Sequence, residues 1–223
     1  MKGTLKELLN NIPSNISLIA VSKTHTVSEI MDVYNQGIRD FGENKVQELV
    51  SKQNLLPSDI KWHLIGHLQT NKVRYIAPFI HLIQSVDSFK ILEEINKQAN
   101  NNNRIINCLL QIYIAEEETK YGLDFNEAEQ LIEKYKSGKF KNVNILGLMG
   151  MATLTDNINQ VKKEFGNLKS FFGLMKSRYL AEDDAFSIIS MGMSGDYQVA
   201  IEEGSNMIRI GTAIFGERDY KKM

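Results

Sequence analysis

Short apolar runs alternate with stretches of helical periodicity along the whole chain. SLIAVSK (17–23) is a run of small and apolar residues that leads straight into a lysine. The same form recurs in KWHLIG (61–66), HLIQSVD (81–87), IINCLLQIYI (105–114), VNILGLMGM (143–151), AFSIISMGM (185–193) and NMIRIGTAIFG (206–216), with a shorter piece in RDFGEN (39–44). Continuous apolar runs of this length are the pattern of strands covered on both faces. Between them lie TVSEIMDVYNQGI (26–38), KVQELVSKQNLL (45–56), TNKVRYIAPF (70–79), SFKILEEINKQA (88–99), NEAEQLIEKYKSG (126–138), NINQVKKEFGNLKSFFGLMKSRY (157–179) and DYQVAIEEG (196–204), all of which read as helices. Thr26 or Ser28, Ser88 and Asn126 are the expected helix starts, and Gly37 and Gly138 the expected ends. A further helix near the N-terminus places Leu5, Leu8, Leu9 and Ile12 on one face.

Eight strands, each flanked by helices, predict an α/β fold: a single (β/α)8 TIM-type barrel over residues 1–223 with an extra N-terminal helix. The chain is short for that fold, for which ~250 residues is typical. An open doubly wound sheet is the other arrangement of such units. Its G-x-G-x-x-G fingerprint is missing, as is a GxxxxGK[ST] phosphate loop.

Composition narrows the picture further. With 43% hydrophobic and 24% charged residues and a formal net charge of −1, the chain has neither the basic excess of a nucleic-acid binder nor a membrane-length apolar run. The first residues lack the apolar core of a signal peptide, so a cytoplasmic protein is expected. Cys108 is the only cysteine, which rules out a disulfide or a cysteine-built metal site within one chain. It reads as a small buried hydrophobe. His63 and His67 are four residues apart, but no carboxylate or third histidine joins them locally, and no metal is expected there.

In a barrel the chemistry gathers at the C-terminal ends of the strands. Lys23, Glu43, Asn44, His67, Asp87, Ser88, Met149, Gly150, Met151, Met193, Ser194, Arg209, Gly211 and Thr212 all follow or end a strand pattern. Around SMGMSGD (190–196), the small residues leave the backbone N–H groups of Ser194, Gly195 and Asp196 open, and a helix start after them favours an anion. RIGTA (209–213) adds a second small turn with a hydroxyl, at the place where barrels often bind phosphate. Lys23 follows apolar residues, so its amine is expected in a partly desolvated mouth, where a lysine gains nucleophilic character. A phosphorylated aldehyde would meet both features. Met149, Met151, Met191 and Met193 read as packing at the barrel mouth.

The pieces AVSKTHT, FGENKVQE, WHLIGHLQTNK, IQSVDS, ETKYGL, GLMGMAT and SMGMSGDYQVAIEEGSNMIRIGTAIFG occur in one order over nearly the whole chain. Together they resemble the pyridoxal phosphate homeostasis protein family, the single-domain relatives of the alanine racemase N-terminal barrel. The resemblance implies that Lys23 holds pyridoxal 5′-phosphate (PLP) as a Schiff base. It also implies that Ser194, Gly211 and Thr212 contact its phosphate and that Arg209 stands beside the pyridine nitrogen. Asn44 and Met193 complete the cofactor-binding set, Asn44 through the ring substituents. Lys120 is a loop charge or helps to close the pocket, and His25 is a loop residue near Lys23.

Three functions are consistent with these residues. The first is a PLP carrier acting in PLP homeostasis and in amino- and keto-acid balance, a monomer whose partners are PLP and PLP-requiring apo-enzymes. The second is an amino-acid racemase. In the two-domain racemases a tyrosine from a separate C-terminal domain serves the second face of the substrate, and this chain stops at Met223, soon after the barrel. Efficient racemisation is therefore not expected. The third is a Schiff-base aldolase using Lys23 without a cofactor.

Overall fold

The computed structural model describes residues 5–117 and 121–216. Eight parallel strands close into a barrel in chain order. They are β1 (Ser17–Val21), β2 (Asp40–Glu43), β3 (Lys61–Leu64), β4 (Leu82–Val86), β5 (Ile106–Ile112), β6 (Val143–Gly150), β7 (Ile188–Ser190) and β8 (Met207–Ile210). β1 pairs with both β2 and β8 and so closes the ring, with Ile19 in register with Arg209. The surrounding helices are α1 (Leu5–Asn10), α2 (Val27–Tyr34), α3 (Val46–Gln53), α4 (Val73–Ile76), α5 (Phe89–Asn101), α6 (Phe125–Lys134), α7 (Ile158–Tyr179), α8 (Tyr197–Glu202) and α9 (Thr212–Phe215). The TIM-type barrel and its extra N-terminal helix are both present.

Side chains alternate across each strand and sort into two layers. Ile19, Leu82, Leu109, Met149 and Met207 fill the barrel interior. Ala20, Phe41, Trp62, Ile83, Leu110 and Leu148 face the helices in a larger outer core. Met191 belongs to that outer core, not to the barrel mouth where the sequence placed it.

Local chemistry explains most boundaries. Thr26 caps α2 in a reciprocal capping box with Glu29, and the Ser88 hydroxyl accepts from the Ile91 N–H to open α5. α6 opens at Asp124 and not at Asn126, because the Asp124 carboxylate accepts from the Glu127 N–H and Glu127 reaches back. The stretch 70–79 forms only a 3-10 turn (Thr70–Lys72) and the single turn of α4. One glycine is indispensable to the sheet. At Gly147, with φ of 156°, a Cβ would stand 1.8 Å from the Ile188 carbonyl oxygen where β6 and β7 press together.

Cys108 is fully buried in β5, and burial pushes its thiol pKa far up. A thiol reagent is therefore expected to leave the native protein unlabelled and to modify one site only after denaturation. Rapid labelling of folded protein would show that the β5 packing opens readily. Among the described residues, no helix is long and apolar enough to cross a membrane.

Candidate functional site

Because all strands run parallel, their last residues meet at one end of the barrel. A cleft of about 260 Å³ opens there. It is lined by Val21, Lys23, Asn44, Ile65, Met151, Leu154, Met193, Ser194, Gly195, Arg209, Gly211 and Thr212. The seven residues singled out from sequence, Lys23, Asn44, Met193, Ser194, Arg209, Gly211 and Thr212, all line it. A larger groove of about 420 Å³ lies beside α5, lined by Phe89, Glu93, Asn96, Lys134, Lys139 and Phe140. None of its described lining residues stands at the C-terminal end of a strand.

Lys23 is half-buried and sits on a loop held from behind. The Ser22 hydroxyl donates to Glu43 Oε1 at 2.6 Å, and the Thr24 N–H donates to Glu48 Oε1 at 2.6 Å. Lys52 of α3 ties these anchors together. Its ammonium donates to the Ser22 carbonyl at 2.8 Å, to Glu43 at 2.8 Å and to Glu48 at 2.7 Å. Thr24 takes a left-handed φ of 69°, which its backbone bond to Glu48 holds in place. Burial drives the Glu43 carboxyl pKa upward, and the Lys52 charge only partly offsets that rise. His25 stacks on Phe215 with ring centroids 4.4 Å apart.

On the opposite side, Gly192 turns β7 toward the cleft. Its φ is 98°, and a Cβ there would stand 2.6 Å from the Ala200 Cβ. The Gly211 N–H donates to the Ser194 hydroxyl at 3.3 Å, which joins the two small turns. Among the described residues, no protein group accepts from the N–H groups of Ser194, Gly195 and Thr212. The Asp196 N–H, expected to be open, instead donates to the Met193 carbonyl, because the turn closes on itself before α8. α8 and α9 have only six and four residues, so the local N–H groups, not a long helix dipole, carry the positive potential here.

Arg209 is 3% exposed, at the floor of the cleft. Its guanidinium donates to Ser190 Oγ at 2.6 Å and to the Gly150 carbonyl at 2.9 Å. Desolvation lowers its pKa to about 10, which still leaves it a cation at neutral pH.

Several strand-end residues do not line the cleft. Glu43 is adjacent to Asn44, yet it faces outward between the barrel and α3, where it pairs with Lys52. His67 pairs with Asp87 at 2.8 Å and stacks on Tyr121, while Ser88 is occupied as a helix cap. His63 points into the barrel, bonded to Asp40 and Gln84, so it forms no pair with His67. Lys120 lies outside the described residues. Ile65 and Leu154 were missed, since an apolar residue beside a strand end carries no sequence mark of a cleft.

Residues 2–219 match the family described as the alanine racemase N-terminal domain. The chain is 39% identical over 204 residues to the pyridoxal phosphate homeostasis protein of Aquifex aeolicus, covering 91% of this chain and 87% of that one. It is 37% identical over 214 residues to the protein of the same name from Haemophilus influenzae, covering 95% and 89%. The chain belongs to the pyridoxal phosphate homeostasis protein family. Among solved structures, PipY of Synechococcus elongatus without PLP superposes with a TM-score of 0.89 at 33% identity, over 95% of this chain and 98% of that one. PipY with PLP bound gives 0.86. An alanine racemase of Clostridium difficile, at 16% identity and a TM-score of 0.76, shares the fold over 59% of its length.

Proposed function

We propose that the cleft binds PLP and that the protein is a carrier acting in PLP homeostasis, without efficient turnover. One observation carries this reading: a half-buried lysine, two N–H-lined turns and a buried guanidinium meet in a single cleft. Each has a counterpart on the cofactor. The Lys23 amine suits the aldehyde, as a Schiff base. Ser194, Gly195, Gly211 and Thr212 suit the phosphate dianion, and none of the described lining residues carries a carboxylate to repel it. The Arg209 guanidinium suits the ring nitrogen. Asn44 would hold the ring substituents, and Met193 would pack against the ring. The names of the relatives and the PLP-bound form of PipY support the same assignment.

PLP supplies a reversible covalent link to amines and, in a suitable setting, an electron sink. This chain restrains the second capacity. Arg209 can donate to a ring nitrogen but cannot accept a proton from it, so it favours the unprotonated ring. Among the described lining residues, Lys23 and Arg209 are the only ionisable side chains. Two-base racemisation needs a proton-transferring group on each face of the substrate, and Lys23 provides one. On this reading residues 1–223 act as one PLP-binding barrel, a cytoplasmic monomer. It exchanges PLP with PLP-requiring apo-enzymes and so influences amino- and keto-acid levels.

Purified protein is expected to be yellow and to be bleached by borohydride. Lys23→Ala should abolish the bound-cofactor absorbance while leaving the circular dichroism spectrum unchanged, because a strand-end lysine fills no core cavity. A mutant that retained the full visible band would remove Lys23 as the attachment point.

A further inference from the structure

Four hydrogen bonds run through the barrel interior from the floor of the cleft to the opposite end. Arg209 Nη1 donates to Ser190 Oγ at 2.6 Å, and Ser190 Oγ donates to Gln84 Oε1 at 2.7 Å. Gln84 Nε2 lies 3.1 Å from His63 Nδ1, and His63 Nε2 lies 3.0 Å from Asp40 Oδ1. Ser190 and Gln84 are fully buried, and His63 is 1% exposed. No water competes for groups so enclosed, and each must take its partner within the chain of bonds.

Arginine has no acceptor, so Ser190 Oγ accepts at that contact, and the Gln84 amide, with Oε1 toward Ser190 and Nε2 toward His63, sets the direction of the other bonds. Ser190 receives from Arg209 and passes its own hydrogen to the Gln84 oxygen. The Gln84 amide then presents N–H groups to His63 and to the Met207 sulfur, 3.3 Å away. His63 Nδ1 must accept, which puts the imidazole hydrogen on Nε2, facing Asp40. The Asp40 side supports this direction. Burial raises its carboxyl pKa, but the His63 hydrogen bond and nearby positive charges outweigh that and hold the pKa below its ordinary value. The charged and titratable groups around this end are Asp40, His81, Lys61 and Arg104.

Asp40, His63 and His81 bring ligand atoms within 4.8 Å of one another, a spacing that could suit a transition metal. The direction of the chain argues otherwise, since a metal needs the lone pair of His63 Nε2 where a hydrogen stands.

We propose that Ser190, Gln84 and His63 form a one-way hydrogen-bond relay that positions Arg209 from the far end of the barrel. Gln84 and His63 are positioning residues, and neither lines the cleft. The effect on a ligand rests on the PLP reading above; the relay itself does not.

Nitrogen-15 NMR of ligand-free protein at about pH 8, above the ordinary imidazole range, tests the relay directly. His63 is expected as the Nε2–H tautomer, and the Arg209 Nη signals as those of a rotationally fixed guanidinium. Gln84→Met and His63→Leu should each release that rotation. If Gln84→Met does not fold, as its amide spectrum would show, His63→Leu and the wild-type tautomer decide. An Nδ1–H tautomer, uptake of Zn²⁺ at His63, or Arg209 signals unchanged in the folded variants would overturn the proposal.

The ligand arm compares PLP with a phosphorylated aldehyde analogue carrying CH in place of the ring nitrogen. Gln84→Met should weaken PLP roughly tenfold and the analogue less than twofold. Equal losses would mean the variant only loosens the barrel, and would overturn a positioning role. If wild type binds neither, the functional reading fails, and the NMR arm still decides the relay.

Discussion

Ser194→Asp combined with Thr212→Asp is expected to weaken PLP binding by about 30- to 1,000-fold. The two side chains stand on the turns joined by the Gly211 N–H to Ser194 hydroxyl bond, at the edge of the cleft facing Lys23. Carboxylates there would lie close to a phosphate dianion. Unit charges about 4 Å apart at an effective dielectric of 20 repel by about 4 kcal/mol. Thr212 is exposed and Ser194 half-buried, so water screens part of this. A net loss of about 2–4 kcal/mol remains, which converts to the stated range. Pyridoxal without its phosphate should bind wild type poorly and lose much less in the variant. Titrating both ligands against both proteins, read by visible absorbance, separates the two effects. Equal losses would show that the turns shape the cleft without contacting phosphate.

Lys52→Met is expected to destabilise the fold by about 3–5 kcal/mol, the usual result of removing one member of a buried ion pair. In a chain of this size that lowers Tm by about 6–20 °C. The Lys52 side chain is 8% exposed, and that of Glu43 is fully buried. Among the described residues, Glu43 Oε2 already has no hydrogen-bond partner, so the carboxylate depends on the Lys52 charge. Adding Glu43→Gln should recover most of the loss, because it removes the stranded charge and keeps the shape.

The pH dependence follows from the same burial. The folded-state pKa of Glu43 lies above its unfolded value of about 4.3, and losing Lys52 raises it further. Such a group contributes stability fully below the unfolded pKa and loses it as pH rises through the folded pKa. The single mutant should therefore lag wild type more at pH 8 than at pH 5. Denaturant titrations at both values measure this. A deficit below about 1 kcal/mol that did not change with pH would show that water screens the pair. Ser22 and Thr24 are anchored to Glu43 and Glu48, so the mutant should also hold Lys23 less firmly.

The chain by itself determined the barrel and most of the cleft. Apolar runs such as SLIAVSK and VNILGLMGM mark strands covered on both faces, and alternating them with amphipathic helices leaves few topologies. Parallel strands end on one side, so Lys23, Asn44, Ser194, Arg209 and Thr212 could be brought together from their sequence positions alone. Helix starts at Thr26 and Ser88 were legible because a cap is a contact within three residues. What a residue faces was not legible. Glu43 and Asn44 are neighbours, yet one turns to the helices and the other to the cleft, because register with the flanking strands sets the alternation. Gln84 and Ser190 are 106 residues apart, and nothing in the pieces IQSVDS and SMGMSGD that hold them marks the two as partners. Only closure of the barrel presses them together in a dry interior, where each buried polar atom must find a partner. The same enclosure gives the Arg209 guanidinium a direction that its place in the sequence could not.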